Sequence, residues 1–186
     1  SVLVSVLICF VIGVPLGVIA SYNKWYRDIQ NVVLDAMQTL PYFCYLIPVL
    51  MFFGGNIVSA VIATVIYSVP PIIRLTALGL SQVSGSYSEV SKSFGGTGIQ
   101  TLNKVKFPLA VPSLVMGFNQ TVIMAFAMQI VTPLIGGKGL GLQVFNALQR
   151  SDTGRGLSAG LAIVLLAIII DRITHAWTKK QRQALG

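Results

Sequence analysis

Five long apolar runs, parted by polar connections, pattern this chain over residues 2–20, 32–53, 57–78, 109–135 and 157–176. Each is close to the twenty or so residues that a helix needs to cross a hydrocarbon layer about 30 Å thick. Apolar residues follow one another within the runs, without the strict alternation of a barrel strand, so the runs predict helices. The expected fold class is all-α: a polytopic transmembrane helical bundle of about five spans, forming a single membrane domain over 1–186. Pro41 and Pro48 interrupt the second run, and Pro70-Pro71 lie near the end of the third. Interior prolines are tolerated in membrane helices and predict kinks and broken ends in the second to fourth spans.

Composition narrows the class. Hydrophobic residues make up 54% of the chain and charged residues only 10%, whereas a soluble domain carries roughly 25% charged residues. Such a chain cannot cover a water-facing surface. Its first run lacks a basic leader and a small-residue cleavage pattern, so it reads as a span and not as a signal peptide. The chain begins at Ser1 and is apolar from Val2, which predicts a fragment or a trimmed chain. Cys9 and Cys44 both lie in apolar runs, where a free thiol behaves as a small hydrophobe. Neither a disulfide nor a metal site is expected.

Charge orients the runs. If the connection over 81–108 is cytoplasmic, that side holds Lys24, Arg27, Arg74, Lys92, Lys104, Lys106, Arg172, Lys179, Lys180 and Arg182, ten of the 13 basic residues. The outer side keeps Lys138, Arg150 and Arg155. This is the distribution expected of a multi-pass membrane protein. It accounts for most of the net charge of +8, so no nucleic-acid partner is needed to explain it. No phosphate-binding glycine loop with its Gly-Lys-Ser/Thr occurs, and the glycine cluster over 136–141 has the wrong spacing. ATP, if used, is bound by another polypeptide.

The connection over 81–108 carries the most chemistry. Residues 87–94 predict a short helix with Val90 and Phe94 on one face. Gly95-Gly96 should break it, and a second helix should run from Thr97 or Gly98 to Lys106 until Pro108 resets the direction. An amphipathic, basic helix–turn–helix suits a groove on a partner protein. The bland alternative is a surface helix held by anionic lipid.

Glu89, Val90 and Ser91, then Gly95 after three residues, then Val105, Phe107 and Pro108 after nine more, together resemble the cytoplasmic signature loop of ATP-binding-cassette (ABC) importer permeases. The family pattern is acidic-small-small, glycine, then an aliphatic residue, any residue, an apolar residue and proline, and every spacing holds. Val90 and Ser91 stand where alanines are usual, and Phe107 where leucine is usual. Residues 35–41 (Asp-Ala-Met-Gln-Thr-Leu-Pro), 68–76 (Ser-Val-Pro-Pro-Ile-Ile-Arg-Leu-Thr), 118–121 (Phe-Asn-Gln-Thr) and 170–172 (Ile-Asp-Arg) look like the glycine betaine/proline betaine branch of that family. The likeness runs from about residue 32 to the end.

The resemblance implies a type I ABC importer permease fold in a prokaryotic plasma (inner) membrane. It implies a permease that is not an enzyme and binds no cofactor, with ATP held by a separate ABC ATPase. Its other partners would be a second permease copy in a homodimer, membrane lipid, and a periplasmic or lipid-anchored substrate-binding protein. The cargo would be a quaternary amine, and Glu89, Phe94 and Gly95 would make the coupling contact with the ATPase. The alternatives are a permease for another small solute such as an amino acid, or, from a different class, a secondary carrier fragment.

Within the spans, ionisable groups are scarce. Asp35, Arg74, Asp171 and Arg172 sit near cytoplasmic ends, as interfacial anchors or short ion pairs, and His175 reads as a solvated helix-end residue. Asn119, Gln120 and Thr121 either bond across helices or line a wet path. Tyr42, Phe43, Tyr45 and Phe118 offer ring faces that attract a quaternary ammonium by about 0.5–2 kcal/mol each, or simply pack. The outward stretch over 136–156 is either a solvated loop or a contact for a binding protein through Arg150, Asp152 and Arg155.

Overall fold

The computed structural model describes residues 2–184, and of the side chains beyond Thr174 only that of Ala176. The expectations for His175, Lys179, Lys180 and Arg182 therefore lie outside the described side chains. Every regular element among the described residues is helical.

The centre of the fold is a continuous helix over Ile57–Ser81, made of α4 (Ile57–Ser68) and α5 (Pro70–Ser81). Pro70-Pro71 do not end it, because they fall in the first turn of α5, where their missing N–H groups are not needed. The Val69 N–H still bonds the Val65 carbonyl at 2.9 Å.

Helix α1 (Val2–Tyr22) packs on one side of α5 through a small-residue stripe. Cys9, Gly13, Gly17 and Ala20 are all buried along it. A Cβ at Gly13 would lie 2.4 Å from Ile72 Cγ2, and one at Gly17 would lie 2.7 Å from the Ile73 carbonyl oxygen. Lipid offers no hydrophobic drive for helix association, so backbones must approach this closely to gain dispersion contacts. Helix α8 (Phe107–Met128) packs on α5 in the same way, with Gly117 against Ile72 and Leu75 and Gly79 against Ser113.

The second apolar run is sharply bent at Pro41, where an interior proline predicts a break. It is divided between α2 (Lys24–Thr39) and α3 (Phe43–Phe53), which meet at 95°. Leu40 is extended, the conformation forced on a residue that precedes a proline, here Pro41. Alone, α3 has 11 residues, about 16 Å of rise. It is too short to cross a bilayer by itself, and α2 carries four charged residues. Leu46 and Val49 of α3 join Ala60, Ala63 and Met128 in one buried cluster.

The fourth run also differs. A continuous helix spans Gly98–Met128, joining α7 (Gly98–Thr101), a π-helical turn at Leu102–Lys106, and α8. Pro108 therefore does not reset the chain. The wider π turn just before it, where the Phe107 N–H reaches back to the Leu102 carbonyl, absorbs the ring and the missing donor. This helix stops at Met128, and a tight 3-10 turn at Thr132–Ile135 follows. The stretch over 136–156, expected as a solvated loop or a contact for a binding protein, holds a helix, α9 (Leu140–Gln149), before α10 (Thr153–Ala184). A Cβ at Gly141 would meet the Gln129 carbonyl oxygen at 1.8 Å, so α9 sits directly on the end of α8.

Among the described residues, four helices are long and apolar enough to cross a membrane, or five spans are present when the bent α2–α3 pair is taken as one.

Candidate functional site

The signature loop is a rigid two-armed projection. Its first arm is α6 (Gly85–Ser93) and its second is α7. Helix α6 ends in a paired turn: the Gly95 N–H bonds the Lys92 carbonyl and the Gly96 N–H bonds the Ser91 carbonyl, both at 2.9 Å. That turn places Gly95 at φ +75°, a left-handed conformation that glycine adopts without a steric penalty. Gly96 is required for space instead, since a Cβ there would lie 2.7 Å from the Ser91 carbonyl oxygen.

Thr97 then starts α7. Its hydroxyl accepts from the Gln100 N–H at 3.4 Å, while Gln100 Oε1 accepts from the Thr97 N–H at 2.9 Å. The reciprocal pair satisfies two donors that a helix start leaves open. The arms are tied by Ser91 Oγ and Thr101 Oγ1, which are 2.8 Å apart. The Thr101 hydroxyl also donates to the Thr97 carbonyl at 3.1 Å, so Ser91 is the donor across the arms.

The residues singled out by spacing divide into three groups. Glu89, Val90, Phe94 and Gly95 are exposed at the projecting end, and Phe94 is 88% exposed. Tyr87 and Ile99 are exposed there too, so the tip presents four large apolar side chains. Ser91 is the clamp between the arms. Val105, Phe107 and Pro108 are half-buried at the root, where Phe107 packs on Leu80, Ala110 and Leu114. The spacing thus marks a tip, a clamp and a root on one stiff element.

The candidates inside the membrane are less unified. Tyr42 and Phe43 are exposed, with ring centroids 4.6 Å apart. Tyr45 turns inward: its hydroxyl donates to the Met37 carbonyl and its ring lies edge-on to Tyr67 at 6.1 Å. Phe118 packs edge-on against Phe10 at 6.4 Å. Gln120 is exposed. Among the described residues, the two groups of aromatic candidates do not stack on each other.

Asn119 is only 6% exposed, yet neither its amide nitrogen nor its amide oxygen has a hydrogen-bond partner, and the buried Thr121 hydroxyl has none either. An unpaired buried polar group costs about 1–3 kcal/mol, so its presence in an apolar bundle calls for a reason. Thr76, which sequence reasoning missed, has the same property, and it faces Gly17 of α1.

Arg74 and Asp35 form an ion pair at 2.6 Å that ties α5 to α2. They line a cleft of about 400 Å³ together with Arg27, Asn31 and Ser81. On the other side, Asp152 pairs with Arg155 at 3.4 Å and caps α10 by accepting from the Arg155 N–H.

The chain resembles proteins of known role along nearly its whole length. The glycine betaine/carnitine transport permease protein GbuB of Listeria monocytogenes is 46% identical over 97% of the chain. The glycine betaine transport system permease protein OpuAB of Bacillus subtilis is 44% identical over 94% of it. The glycine betaine/proline betaine transport system permease protein ProW of Escherichia coli is 44% identical over 97%. The chain spans 64%, 62% and 51% of those three relatives, respectively. Inward-facing structures of the MetNI methionine ABC transporter share its fold. One superposes with a TM-score of 0.78 at 24% identity, covering 94% of this chain and 90% of that one. Residues 13–183 match the family described as the binding-protein-dependent transport system inner membrane component, and the chain belongs to that family.

Proposed function

We propose that this chain is the membrane-spanning permease part of an ATP-driven importer for glycine betaine-type quaternary amines. It translocates the solute and performs no bond chemistry. A separate ABC ATPase binds the nucleotide and grips the loop over 89–108, a substrate-binding protein delivers the solute, and a second copy of the chain completes the pathway.

The observation that carries this reading is the exposed, stiffly held tip. A phenylalanine that is 88% exposed on a segment with two caps and a cross-arm hydrogen bond is a preformed plug for a partner's apolar groove. Fully burying such a ring is worth about 1.5–3 kcal/mol, and the clamp spares the cost of ordering it on binding. The names of the relatives support the solute class. The buried, unpaired Asn119 and Thr121 support a polar path beside α8, and the exposed Tyr42–Phe43 pair offers ring faces to a quaternary ammonium.

Uptake of labelled glycine betaine into vesicles holding the full-length permease, its ATPase and its binding protein tests the assignment. ATP-dependent uptake that choline or carnitine competes for, and a neutral amino acid does not, supports it. Uptake of the amino acid alone overturns the solute. Uptake without ATP in a fully assembled complex overturns the mechanism.

A further inference from the structure

Taken with α3 as one bent span, α2 brings charge into the bundle. Arg27, Asn31 and Asp35 follow one another at intervals of four residues and so share one face of the helix. The opposite face, with Trp25, Ile29, Val32 and Val33, is an apolar stripe left uncovered. A soluble helix would turn its polar face to water and its apolar face to the core. Here the polar stripe looks at another span. Arg74, Leu78 and Ser81 of α5 stand across from it, and the two stripes enclose the cleft of about 400 Å³. That volume falls in the range of small-molecule sites. Ionisable groups within a span face the bundle interior or a wet cavity, where they mark solute paths.

The cleft has a mouth and a floor. Helix α5 ends at Ser81, just before the loop, and α2 starts beside Tyr22, whose ring meets Lys106 of the loop at 5.0 Å. Ser81 and Arg27 therefore lie at the end of the bundle that carries the loop. Asp35 follows Arg27 by eight residues, about 12 Å further along the helix. At this floor Arg74 Nη2 donates to Asp35 Oδ1 at 2.6 Å, while Arg74 Nε is buried without a partner. A guanidinium bonds a carboxylate best through two parallel donors and both oxygens. Asp35 does not supply that arrangement. Across the cleft, two arginines face one carboxylate.

We infer that this cleft is a weak binding site for a zwitterionic solute, a quaternary ammonium that carries its own carboxylate. The solute inserts into the Arg74–Asp35 pair. Its carboxylate accepts from Nε and Nη2 of Arg74 together, with the Arg27 charge on the mouth side. Its ammonium has no hydrogen to donate and lies against the Asp35 carboxylate by charge alone. One ion pair is exchanged for two, and the original pair closes again when the solute leaves. No charge is stranded in either state, so the solute is held without being trapped. A cation that lacks a carboxylate leaves Arg74 without its second bond, and the floor selects against it. This site presupposes the quaternary-amine permease proposed above.

Binding to the membrane complex itself is the test. Full-length permease assembled with its ATPase in nanodiscs, with the binding protein withheld, is titrated with glycine betaine. Saturation transfer from the protein to the betaine methyl protons is read by NMR, against empty nanodiscs. We expect a saturable signal in the millimolar range, and a much weaker one for choline. Asp35→Asn and Arg74→Gln should each weaken binding by about tenfold or more. Leu78→Trp narrows the cleft at an exposed position and leaves every charge in place. It should weaken binding too, which keeps the test open if the charge variants fold poorly. No saturable signal in the parent, equal signals for betaine and choline, or binding unchanged in all three variants overturns the inference. ATP-dependent betaine uptake by the parent transporter, with its binding protein present, decides the importer assignment separately. Uptake without a signal from the cleft would remove this site and leave that assignment standing.

Discussion

Ser91 and Thr101, one on each arm of the loop between α5 and α8, bring their hydroxyl oxygens to 2.8 Å. This contact makes one stiff element of two short helices, since α7 has only four residues of regular α-helix. Helices that short are not stable alone. The small residue expected at position 91 is thus a joint, and serine fills it with a hydrogen bond where alanine would supply only space.

Ser91→Ala should loosen the arms by about 1 kcal/mol, the usual worth of one such bond. We expect insertion and assembly to persist while solute moved per ATP hydrolysed falls. A parallel assay of hydrolysis and uptake checks this, and an unchanged ratio would show that the clamp has no part in coupling.

Gly95→Leu should do more. No atom lies within 4 Å of a Cβ at this position, so the cost is backbone strain at φ +75°, about 1–2 kcal/mol for a residue with a side chain. The expected outcome is an inserted permease with uptake uncoupled from ATP hydrolysis. Asn tolerates that conformation better, so Gly95→Asn should retain more uptake than Gly95→Leu. Equal loss in both would mean that side-chain bulk, and not conformation, is what the position excludes.

The helix–turn–helix shape of this loop was legible from spacing, because its glycines and caps act over a few residues. In the second span the break at Pro41 was legible, but neither the size of the bend nor the helix ahead of it was. Val32, Val33 and Leu34 look like the start of an apolar crossing, but only Leu34 turns inward, and Val32 and Val33 lie on the uncovered stripe of α2. Hydropathy along a chain does not show by how much Pro41 turns its path. Pro108 misled in the opposite sense, since a π turn costs one extra residue and leaves no trace in composition. Gly139 and Gly141 suggested a loop, although Gly141 is there so that α9 can meet the end of α8. The path residues remained divided because Phe118, Asn119, Gln120 and Thr121 are consecutive on a helix and point about 100° apart.

Gly17→Val tests the packing of α1 on α5. Its side chain would enter space held by Thr76 Cβ, 2.5 Å from the new Cβ, and by the Ile73 carbonyl. Overpacking of this kind costs about 1–3 kcal/mol. The unfolding temperature in detergent should fall, with a corresponding loss of assembled permease. A variant as stable as the parent would mean that α1 is free to shift.

Asn119→Leu separates path from packing. It removes two buried polar atoms that have no partner within the chain, so stability in detergent should hold or rise, by up to about 1–3 kcal/mol. If Asn119 faces the solute path, uptake should fall while ATPase binding is retained. Unchanged uptake would assign the residue to a contact with another subunit.

Phe94 gives the most direct test of the account. Uptake and ATP hydrolysis should be measured together in vesicles holding the assembled transporter, with Phe94 intact and with Phe94→Ala. The ring is 88% exposed in the chain alone, so removing it should leave the permease folded and inserted. Losing about 1.5–3 kcal/mol of buried ring should weaken ATPase binding about tenfold or more and abolish solute-stimulated hydrolysis along with uptake. Undiminished ATPase binding and uptake in the Phe94→Ala transporter would contradict the assignment of this loop as the coupling element.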